Sequence, residues 1–321
     1  MTDIQHPNRS ERQLISLIMN QNSGRRAPDL VPVHEVLCNY FTERGFDVDL
    51  HMSVAPGDLV LLAQKAVVQH RTRKGVIVAA GGDGTLNAVA HALLNESITM
   101  GIIPLGTFNY VARALHIPLD LFEAAHVIVH GVPYGIHVGR VNQYIYLNNA
   151  SIGLYPRVIE QREQDNSRYG RFQMVALMSG FAVLMREHQK LKLKLSIDGQ
   201  LEPIETPLVF FGNNPLQLKD YNLELAECAA KGKLAVVAIT SVSRWQVLKL
   251  ISRLQLGTFE QAPEVTAYCA DQVRIDSKAQ YMKVAIDGEI VRVNTPLYFS
   301  VAQSAIQILV PRRLHAVEGT V

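Results

Sequence analysis

Three glycines around one acidic residue form the stretch of this sequence that is best suited to chemistry. The stretch is GGDGT, residues 81–85, and it lies between an apolar run and a helical pattern. Glycine has no Cβ, so the backbone at Gly81, Gly82 and Gly84 can turn sharply and come close to an anion. The first N–H groups of the following helix would point at that anion, and the helix dipole favours it. We therefore predict a phosphate-binding loop, in which Asp83 is suited to hold Mg²⁺ beside the phosphate.

An ordinary tight turn at the start of a helix is the alternative for this loop. In either case the hydroxyl of Thr85 can donate a hydrogen bond or cap the helix. Two other phosphate-binding patterns are absent from the loop, namely GxxxxGK[ST] and the third glycine of a dinucleotide fingerprint. The glycines alone leave phosphate binding and a structural turn both open.

A second turn carries a carboxylate that could act as a base. The residues VAIDGE, 284–289, connect two stretches of alternating polarity, which is ordinary β-turn chemistry. Glu289 stands beside a glycine on this turn, so it could approach a cleft and accept the proton of a hydroxyl that is being phosphorylated. We expect Asp287 to be structural, and from the residues alone a purely structural turn remains the alternative for Glu289.

The first half of the chain alternates predicted strands with predicted helices. The strand patterns cover 14–19, 46–52, 75–80 and 98–104, and the helical patterns cover 33–44, 57–74, 86–94 and 108–115. Such an order indicates a parallel sheet with both faces covered. Ligands bind outside the carboxyl ends of the strands in such sheets, so the polar loops that follow the strands should meet at one site.

From about residue 134 the pattern changes to an alternation with a period of two. Asp198-Gly199, between two alternating runs, is a strong hairpin signal. This half is predicted to be mostly antiparallel, a β-sandwich or barrel, with two helices at about 168–190 and 243–256. The predicted fold class is therefore a Rossmann-like parallel α/β domain over 1–133, followed by a mostly antiparallel domain over 134–302 that is a β-sandwich or a barrel.

Composition narrows the class of protein. Of 321 residues, 48% are hydrophobic, and the net charge is only +2, so no strong field for nucleic acid is implied. Cys38, Cys228 and Cys269 lie far apart, a spacing that predicts neither a disulfide framework nor a zinc site and fits a reducing compartment. The polar start is unlike a signal peptide, and the longest apolar run, 172–185, is shorter than the roughly 20 residues of a membrane span. We expect a cytoplasmic protein.

Longer motifs carry a resemblance to a known family. GGDGTLNAVAHALL, followed by GIIPLGTFNYVARALHIP, resembles the catalytic domain of diacylglycerol kinases and bacterial lipid kinases. Their superfamily includes sphingosine kinases and, more remotely, NAD kinases. MNQNSG (19–24), with Gln21 where proline is usual, NNASIGLYP (148–156) and VAIDGE resemble further family elements in the same order. The resemblance covers about residues 12–311.

The resemblance implies an NAD kinase/diacylglycerol kinase-like fold, in which the second domain is a β-sandwich. Its first domain would bind ATP and be rejoined by residues 303–321. It implies that Glu289 is the general base and that Asp83 lies near Mg²⁺. By analogy, the residues near the nucleotide are Asn20, Ser23, Gly24, Ser53, Gly81, Gly82, Gly84, Thr85, Thr107 and Asn109.

One element departs from the family pattern. Relatives of the bacterial lipid-kinase type carry an aspartate in a D-G-x-L element, where it holds a structural Mg²⁺. Here the stretch reads KGKL, with Lys231 in place of the aspartate. A charged lysine cannot ligate a cation, which argues against that structural metal, and Lys231 could supply the missing positive charge itself.

We expect an ATP-dependent lipid kinase that phosphorylates the hydroxyl of diacylglycerol or a related lipid. Its partner would be a lipid at the inner face of the membrane, reached by peripheral contact, with no nucleic acid; a homodimer stays open. The alternatives are an NAD-kinase-like phosphotransferase that acts on a soluble hydroxyl, and a nucleotide- or lipid-binding relative without catalysis.

Overall fold

The structure is a computed structural model that describes residues 12–21, 31–55, 57–153, 191–220, 223–240, 246, 249–250, 252–253 and 256–312. The described residues of Met1–Ile136 and Ser304–Val321 form one compact unit, and those of His137–Gln303 form a second. The predicted helix at 168–190 lies outside the described residues; of the one at 243–256, residues 246, 249–250 and 252–253 are helical, and 256 lies in a turn. The functional roles assigned to the two domains stay predictions.

The first unit contains a parallel sheet. Its strands are β1 (Leu14–Asn20), β2 (Asp47–Ser53), β3 (Gly75–Gly81) and β4 (Thr99–Pro104), with the order β2-β1-β3-β4. The last part of β16 (Leu297–Val310) lies beside β4 in the parallel sense, with Ile308 opposite Met100. Nearly every residue of β1 is buried, as expected of a parallel strand that is covered on both faces.

Five helices are described in this unit. They are α1 (Val33–Glu43), α2 (Asp58–His70), α3 (Asp83–Leu93), α4 (Tyr110–Ala114) and α5 (Leu121–His130). Four were predicted from periodicity, whereas α5 was missed. Its start does have a sequence signal, because the carboxylate of Asp120 accepts the N–H groups of Phe122 (2.9 Å) and Glu123 (3.1 Å) as a helix cap.

The second unit is built from two antiparallel sheets. We call the first the covered sheet; its order is β12-β11-β10-β7-β14-β15. These strands are β7 (Asn149–Gly153), β10 (Leu208–Gly212), β11 (Leu234–Ile239), β12 (Val265–Ala270), β14 (Tyr281–Ile286) and β15 (Glu289–Asn294). The predicted fold class, a parallel α/β domain followed by an antiparallel β-sandwich, is confirmed.

The other sheet, which we call the open sheet, has the order β16-β13-β8-β9 within this unit. Its strands are β8 (Leu191–Ile197), β9 (Gln200–Thr206), β13 (Gln272–Asp276) and the first part of β16, with β5 (Val132–Val141) and β6 (Tyr144–Tyr146) attached. The apolar core of the unit includes the rings of Phe211 and Phe299, which stack with centroids 3.7 Å apart.

Two short helices of the second unit, α6 (Pro215–Asp220) and α7 (Ala226–Ala230), were not predicted. Leu218 and Ala226 belong to an apolar cluster with Val237 and Ile239 of β11. All six residues of β11 are therefore buried, as in a strand with both faces covered.

The expectation that the cysteines form no disulfide is wrong. Cys228 of α7 and Cys269 of β12 form a disulfide with their Cα atoms 5.7 Å apart, and Cys38 is a free thiol. The two cysteines are separated by 41 positions, and sequence distance says nothing about this proximity. It arises because α7 packs on β11, and β12 is the strand paired with β11.

Candidate functional site

The glycine loop connects β3 to α3. Gly81 ends the strand, and Gly82 precedes the helix in an extended conformation (φ −87°, ψ −175°). Gly82, the residue at the N-cap position of α3, makes no side-chain cap, and Thr85, the third helical residue, is buried. The expectation that Thr85 caps the helix is therefore wrong, because the residue stands too far inside it. Helix N–H groups that lack a side-chain cap are suited to bind an anion.

The glycines bring two loops together. A Cβ at Gly82 would lie 3.2 Å from the Cα of Gly106, and one at Gly106 would lie 2.5 Å from the Cα of Gly82. A Cβ at Gly81 would collide with the side chain of Thr85. Gly82 and Gly106 are thus required for close backbone packing between the loop and the segment LGT, whereas the anion contact itself stays a prediction.

Asp83 links the same two loops through its carboxylate. One oxygen accepts the N–H of Val111 at 3.3 Å, and the other accepts the N–H of Tyr110 at 3.4 Å. Both N–H groups belong to the first turn of α4, so Asp83 adds a negative charge at the positive end of that helix. The bonds are long, which makes them weak.

Asn109 holds the second loop in shape. Its Oδ1 accepts the N–H of Gly106 at 3.0 Å, and its Nδ2 donates to the carbonyl of Gly106 at 2.8 Å. The residue is buried and has a left-handed backbone (φ 49°), which asparagine tolerates better than most residues. Thr107 lies exposed between them. Asn109 therefore fixes the loop, and its contact with a nucleotide stays a prediction.

Asn20 and Ser53 end the two strands on the other side of β3. They are opposite each other in the parallel register of β1 and β2. The buried hydroxyl of Ser53 donates to the carbonyl of Ala55 at 3.0 Å. The carboxyl edge of this sheet thus brings together Asn20, Ser53, the glycine loop and the loop with Thr107 and Asn109. Ser23 and Gly24 lie outside the described residues.

The acidic turn of the second unit joins β14 to β15. Asp287 and Gly288 both have positive φ (46° and 93°), as in the type I′ turn of a two-residue hairpin. The carboxylate of Asp287 accepts three backbone N–H bonds, from Leu147 at 2.7 Å and from Asn148 and Asn149 at 2.9 Å. The expectation that Asp287 is structural is confirmed.

Buried amide side chains hold the segment 147–149 from the other side. Asn214 donates to Oδ1 of Asn148 at 2.8 Å, and Asn149 donates to Oε1 of Gln217 at 2.8 Å. All four side chains are buried, so each bond satisfies groups that would otherwise be costly to bury.

Sequence reasoning missed this amide network. Nδ2 of Asn213 donates to the carbonyl of Leu147 at 2.9 Å, and Oδ1 of Asn214 accepts the N–H of Leu216 at 2.9 Å at the start of α6. The motif GNNP carried the signal, because asparagine followed by proline is typical of a helix start. Only the fold shows that the same asparagines support the acidic turn.

Glu289 is the first residue of β15 and lies opposite Ile286, directly after the turn. Its side chain is exposed, whereas the neighbouring Asp287 is anchored through three N–H groups. The hairpin therefore presents an accessible carboxylate on a well-supported backbone, which is what a general base requires.

Tyr146 is a further titratable residue near this turn. Its ring is fully buried, and burial, followed by the negative charge of Asp287, raises the pKa of its hydroxyl. The phenol is therefore neutral at ordinary pH and occupies the core, which leaves Glu289 as the accessible acid–base group of the turn.

The described residues offer few side chains that could bind a metal ion. Among the described residues, no group of three or more His, Cys, Asp or Glu side chains could hold a metal ion. Asp83 alone still fits Mg²⁺, since this ion is usually held by one or two carboxylates together with phosphate oxygens. Lys231 is exposed directly after α7, and the expectation about a structural metal there stays a prediction.

Two family models match the chain. One is the diacylglycerol kinase catalytic domain, over residues 15–141, and the other is the YegS C-terminal NAD kinase beta sandwich-like domain, over 152–310. A diacylglycerol kinase of Staphylococcus aureus strain JH9 is 30% identical over 286 residues, which are 87% of this chain and 86% of that protein. One from strain bovine RF122 is 26% identical over the same length.

Solved structures agree on the fold. The crystal structure of a diacylglycerol kinase from Bacillus anthracis matches with a TM-score of 0.66 and 21% identity, covering 95% of this chain and 99% of that one.

A parallel α/β unit with a glycine loop, followed by an antiparallel sandwich with an acidic turn, defines a class of two-domain kinases. This chain belongs to the diacylglycerol kinase family, as its motifs predicted, and it is a kinase. Within the described residues, no helix is both long and apolar enough to cross a membrane.

Proposed function

We propose that the protein transfers the γ-phosphoryl group of ATP to the hydroxyl of a lipid, with diacylglycerol or a related lipid as substrate. One observation carries the proposal: α3 begins after Gly82, which provides no side-chain cap and packs closely against Gly106, while Asp83 bonds to the start of α4, in a chain of the diacylglycerol kinase family. The relatives that match over most of their length are named diacylglycerol kinases.

The glycine loop would bind the phosphates of ATP. Backbone N–H groups at the start of α3 are the donors, and the helix dipole adds a favourable field. Asp83 would hold Mg²⁺, which neutralises charge on the phosphate oxygens. Asn109 would act by fixing the neighbouring loop, since both ends of its amide are bonded to Gly106.

Glu289 would accept the proton of the lipid hydroxyl. The hydroxyl oxygen forms a bond to the γ-phosphorus, the bond from that phosphorus to the bridging oxygen breaks, and ADP leaves with the electron pair. Phosphoryl transfer has a loose transition state, so positioning of the hydroxyl contributes more than full removal of the proton.

We further propose that the protein works by peripheral contact at the cytoplasmic face of a membrane, because its substrate would reside there. Nucleic acid has no part in this proposal, since the net charge of the chain is only +2.

Radiolabelled ATP tests the reaction directly. The purified protein is incubated with Mg²⁺ and ATP labelled in its γ-phosphate, either alone, with a total lipid extract or with NAD, and the labelled products are identified by mass spectrometry. We expect label in a lipid phosphate only when lipid is present. Label transferred to NAD without lipid would replace the proposal by an NAD-kinase-like activity, and ATP binding without any transfer would overturn catalysis.

A further inference from the structure

The two sheets of the second unit differ in what covers their outer faces. On the covered sheet, α6 and α7 contribute to an apolar cluster with β11, all of whose residues are buried. On the open sheet, β8 alternates between buried Leu193 and Leu195 and exposed Lys192 and Lys194. The outer face of the open sheet therefore meets solvent in the described structure.

The exposed face of the open sheet combines apolar, aromatic and basic side chains. Leu201 on β9 is 63% exposed, and Tyr298 on β16 is 50% exposed. The Arg274 guanidinium lies 5.5 Å from the centroid of the Tyr298 ring. An exposed leucine in a strand loses hydrophobic stabilisation unless something apolar covers it.

Positive charge dominates this face. We define the basic face by its six residues, which are Lys192, Lys194, Leu201, Arg274, Lys278 and Tyr298. Its four cations face two carboxylates, because Lys192 pairs with Glu205 at 3.4 Å and Arg274 pairs with Asp276 at 2.8 Å. Two positive charges are therefore left in excess. Part of the face forms a cleft of about 450 Å³, whose charged lining consists of Lys192, Lys194 and Lys278 together with Glu205 and Asp276.

We propose that the basic face docks the protein on a bilayer that contains anionic lipids. Lysine side chains can lay their methylene stems along an apolar surface while the ammonium groups reach lipid phosphates. Tyrosine suits the headgroup level, and Leu201 can enter the boundary with the acyl chains. Two other partners fit this face less well. A second copy of the chain would bring like charges together, and a nucleic acid has no apolar region that could take up Leu201.

This inference rests on the proposed function for its purpose, because it names the surface through which a lipid kinase would reach its membrane. The expected strength of vesicle binding follows from electrostatics. Each lysine near an anionic surface contributes about a fivefold gain in affinity, so the loss of two lysines should weaken binding by about 30-fold. Attraction of this kind must also fall as salt is raised.

Vesicle sedimentation tests the docking. The full chain is mixed with vesicles of phosphatidylcholine and phosphatidylglycerol, and with vesicles of phosphatidylcholine alone, at low and high salt. The test variant is Lys194→Glu/Lys278→Glu. The control variant is Lys65→Glu/Lys219→Glu, which changes the net charge equally at exposed lysines of α2 and α6.

We expect the test variant to lose at least about 30-fold in affinity for anionic vesicles, and the control to change by about threefold or less. Leu201→Ser should weaken binding at high salt as well, because its contribution is apolar. Equal binding by the test and control variants would overturn the proposal. It would also be overturned if the wild type were a dimer that the test variant converts to monomers, since the face would then be a subunit interface.

Kinase assays separate this inference from the proposed function. With a short-chain diacylglycerol dispersed in water, the test variant should keep wild-type turnover, because docking is no longer needed. Loss of turnover on this substrate would show that the two lysines act in the reaction, which would contradict a docking role. If the wild type phosphorylates no lipid but binds anionic vesicles through the basic face, the proposed function fails and the docking stands.

Discussion

Two aspartates, Asp83 of the first unit and Asp287 of the second, both use their carboxylate to hold a neighbouring backbone segment. Asp287 accepts three N–H bonds of 2.7–2.9 Å, whereas the two N–H bonds of Asp83 measure 3.3 and 3.4 Å. Short bonds to a charged acceptor are strong, and bonds as long as those of Asp83 are weak. Asp287 is therefore committed to the scaffold, whereas the two bonds from α4 hold Asp83 only weakly.

The surroundings of the two aspartates also differ. Asp83 stands in the first turn of a helix without a side-chain cap, next to exposed Gly84. Asp287 anchors a hairpin in which Glu289, two residues further along the chain, is exposed to solvent. In the first unit the chemistry is expected from the aspartate itself, and in the second from its neighbour.

Asp83→Asn should have the largest effect on turnover. The amide keeps the size of the side chain but removes the charge that would hold Mg²⁺, so kcat should fall by about 10³-fold. The free energy of unfolding should change by less than about 1 kcal/mol, because the lost bonds are long. Steady-state kinetics over a series of Mg²⁺ concentrations, with urea unfolding as the control, measures both. An unchanged kcat throughout the series would exclude a metal-linked role.

Glu289→Gln should come second. Glutamine keeps the shape and most hydrogen bonds but cannot take a proton, and loss of a general base costs about 10²–10⁴ in rate. Because the transition state is loose, we expect the low end of that range. Single turnover with saturating lipid in mixed micelles measures the chemical step, and ATP affinity should stay unchanged. A loss smaller than about tenfold would mean that the base is another carboxylate.

Asp287→Asn should lower the stability of the protein more than its turnover. The substitution places an NH₂ group or an uncharged oxygen against three N–H donors, so the free energy of unfolding should fall by about 2–3 kcal/mol. Urea unfolding of this variant and of Asp83→Asn, side by side, tests the comparison directly. Equal losses of stability in the two variants would show that the difference in bond length has no energetic meaning.

The sequence predicted what depends on local pattern. Apolar periodicity predicted the parallel strands and most helices, and the turn residues predicted the Asp287-Gly288 hairpin. It did not predict the amide network of Asn213, Asn214 and Gln217, because these residues meet segment 147–149 only when β7 pairs with β10. The Cys228–Cys269 pair depends in the same way on packing between segments 41 positions apart.

The role of Gly82 was predicted only in part. Its sequence context indicated a backbone that comes close to a phosphate, and the structure adds the close approach to Gly106. Contacts of this kind belong to the tertiary fold, so a glycine motif alone cannot distinguish loop packing from ligand binding.

The smallest expected effect concerns the response of the first unit to acid. His70 at the end of α2 is buried, and its Nε2 lies 3.1 Å from the hydroxyl of Ser16 on β1. Burial, followed by the positive charge of Arg73, lowers the pKa of His70 to about 4. The folded state thus binds fewer protons than the unfolded one, whose histidine has a pKa near 6.5. The stabilisation is complete above about pH 6.5 and is lost as the pH falls towards 4.

Between pH 7 and pH 5 we therefore expect the free energy of unfolding to fall by about 1–2 kcal/mol through His70. Neither His70 nor Ser16 belongs to the second unit, so the backbone segment that Asp287 holds should not respond through this histidine. Hydrogen exchange at pH 7 and pH 5 distinguishes the two units: backbone amides of β1 and α2 should lose protection in acid, and those of Leu147 to Asn149 should not. His70→Gln should remove most of the difference in the first unit. If that variant keeps the full dependence on pH, a group other than His70 causes it. The acid response would then not distinguish the first unit, which carries the glycine loop, from the second, which carries the acidic turn.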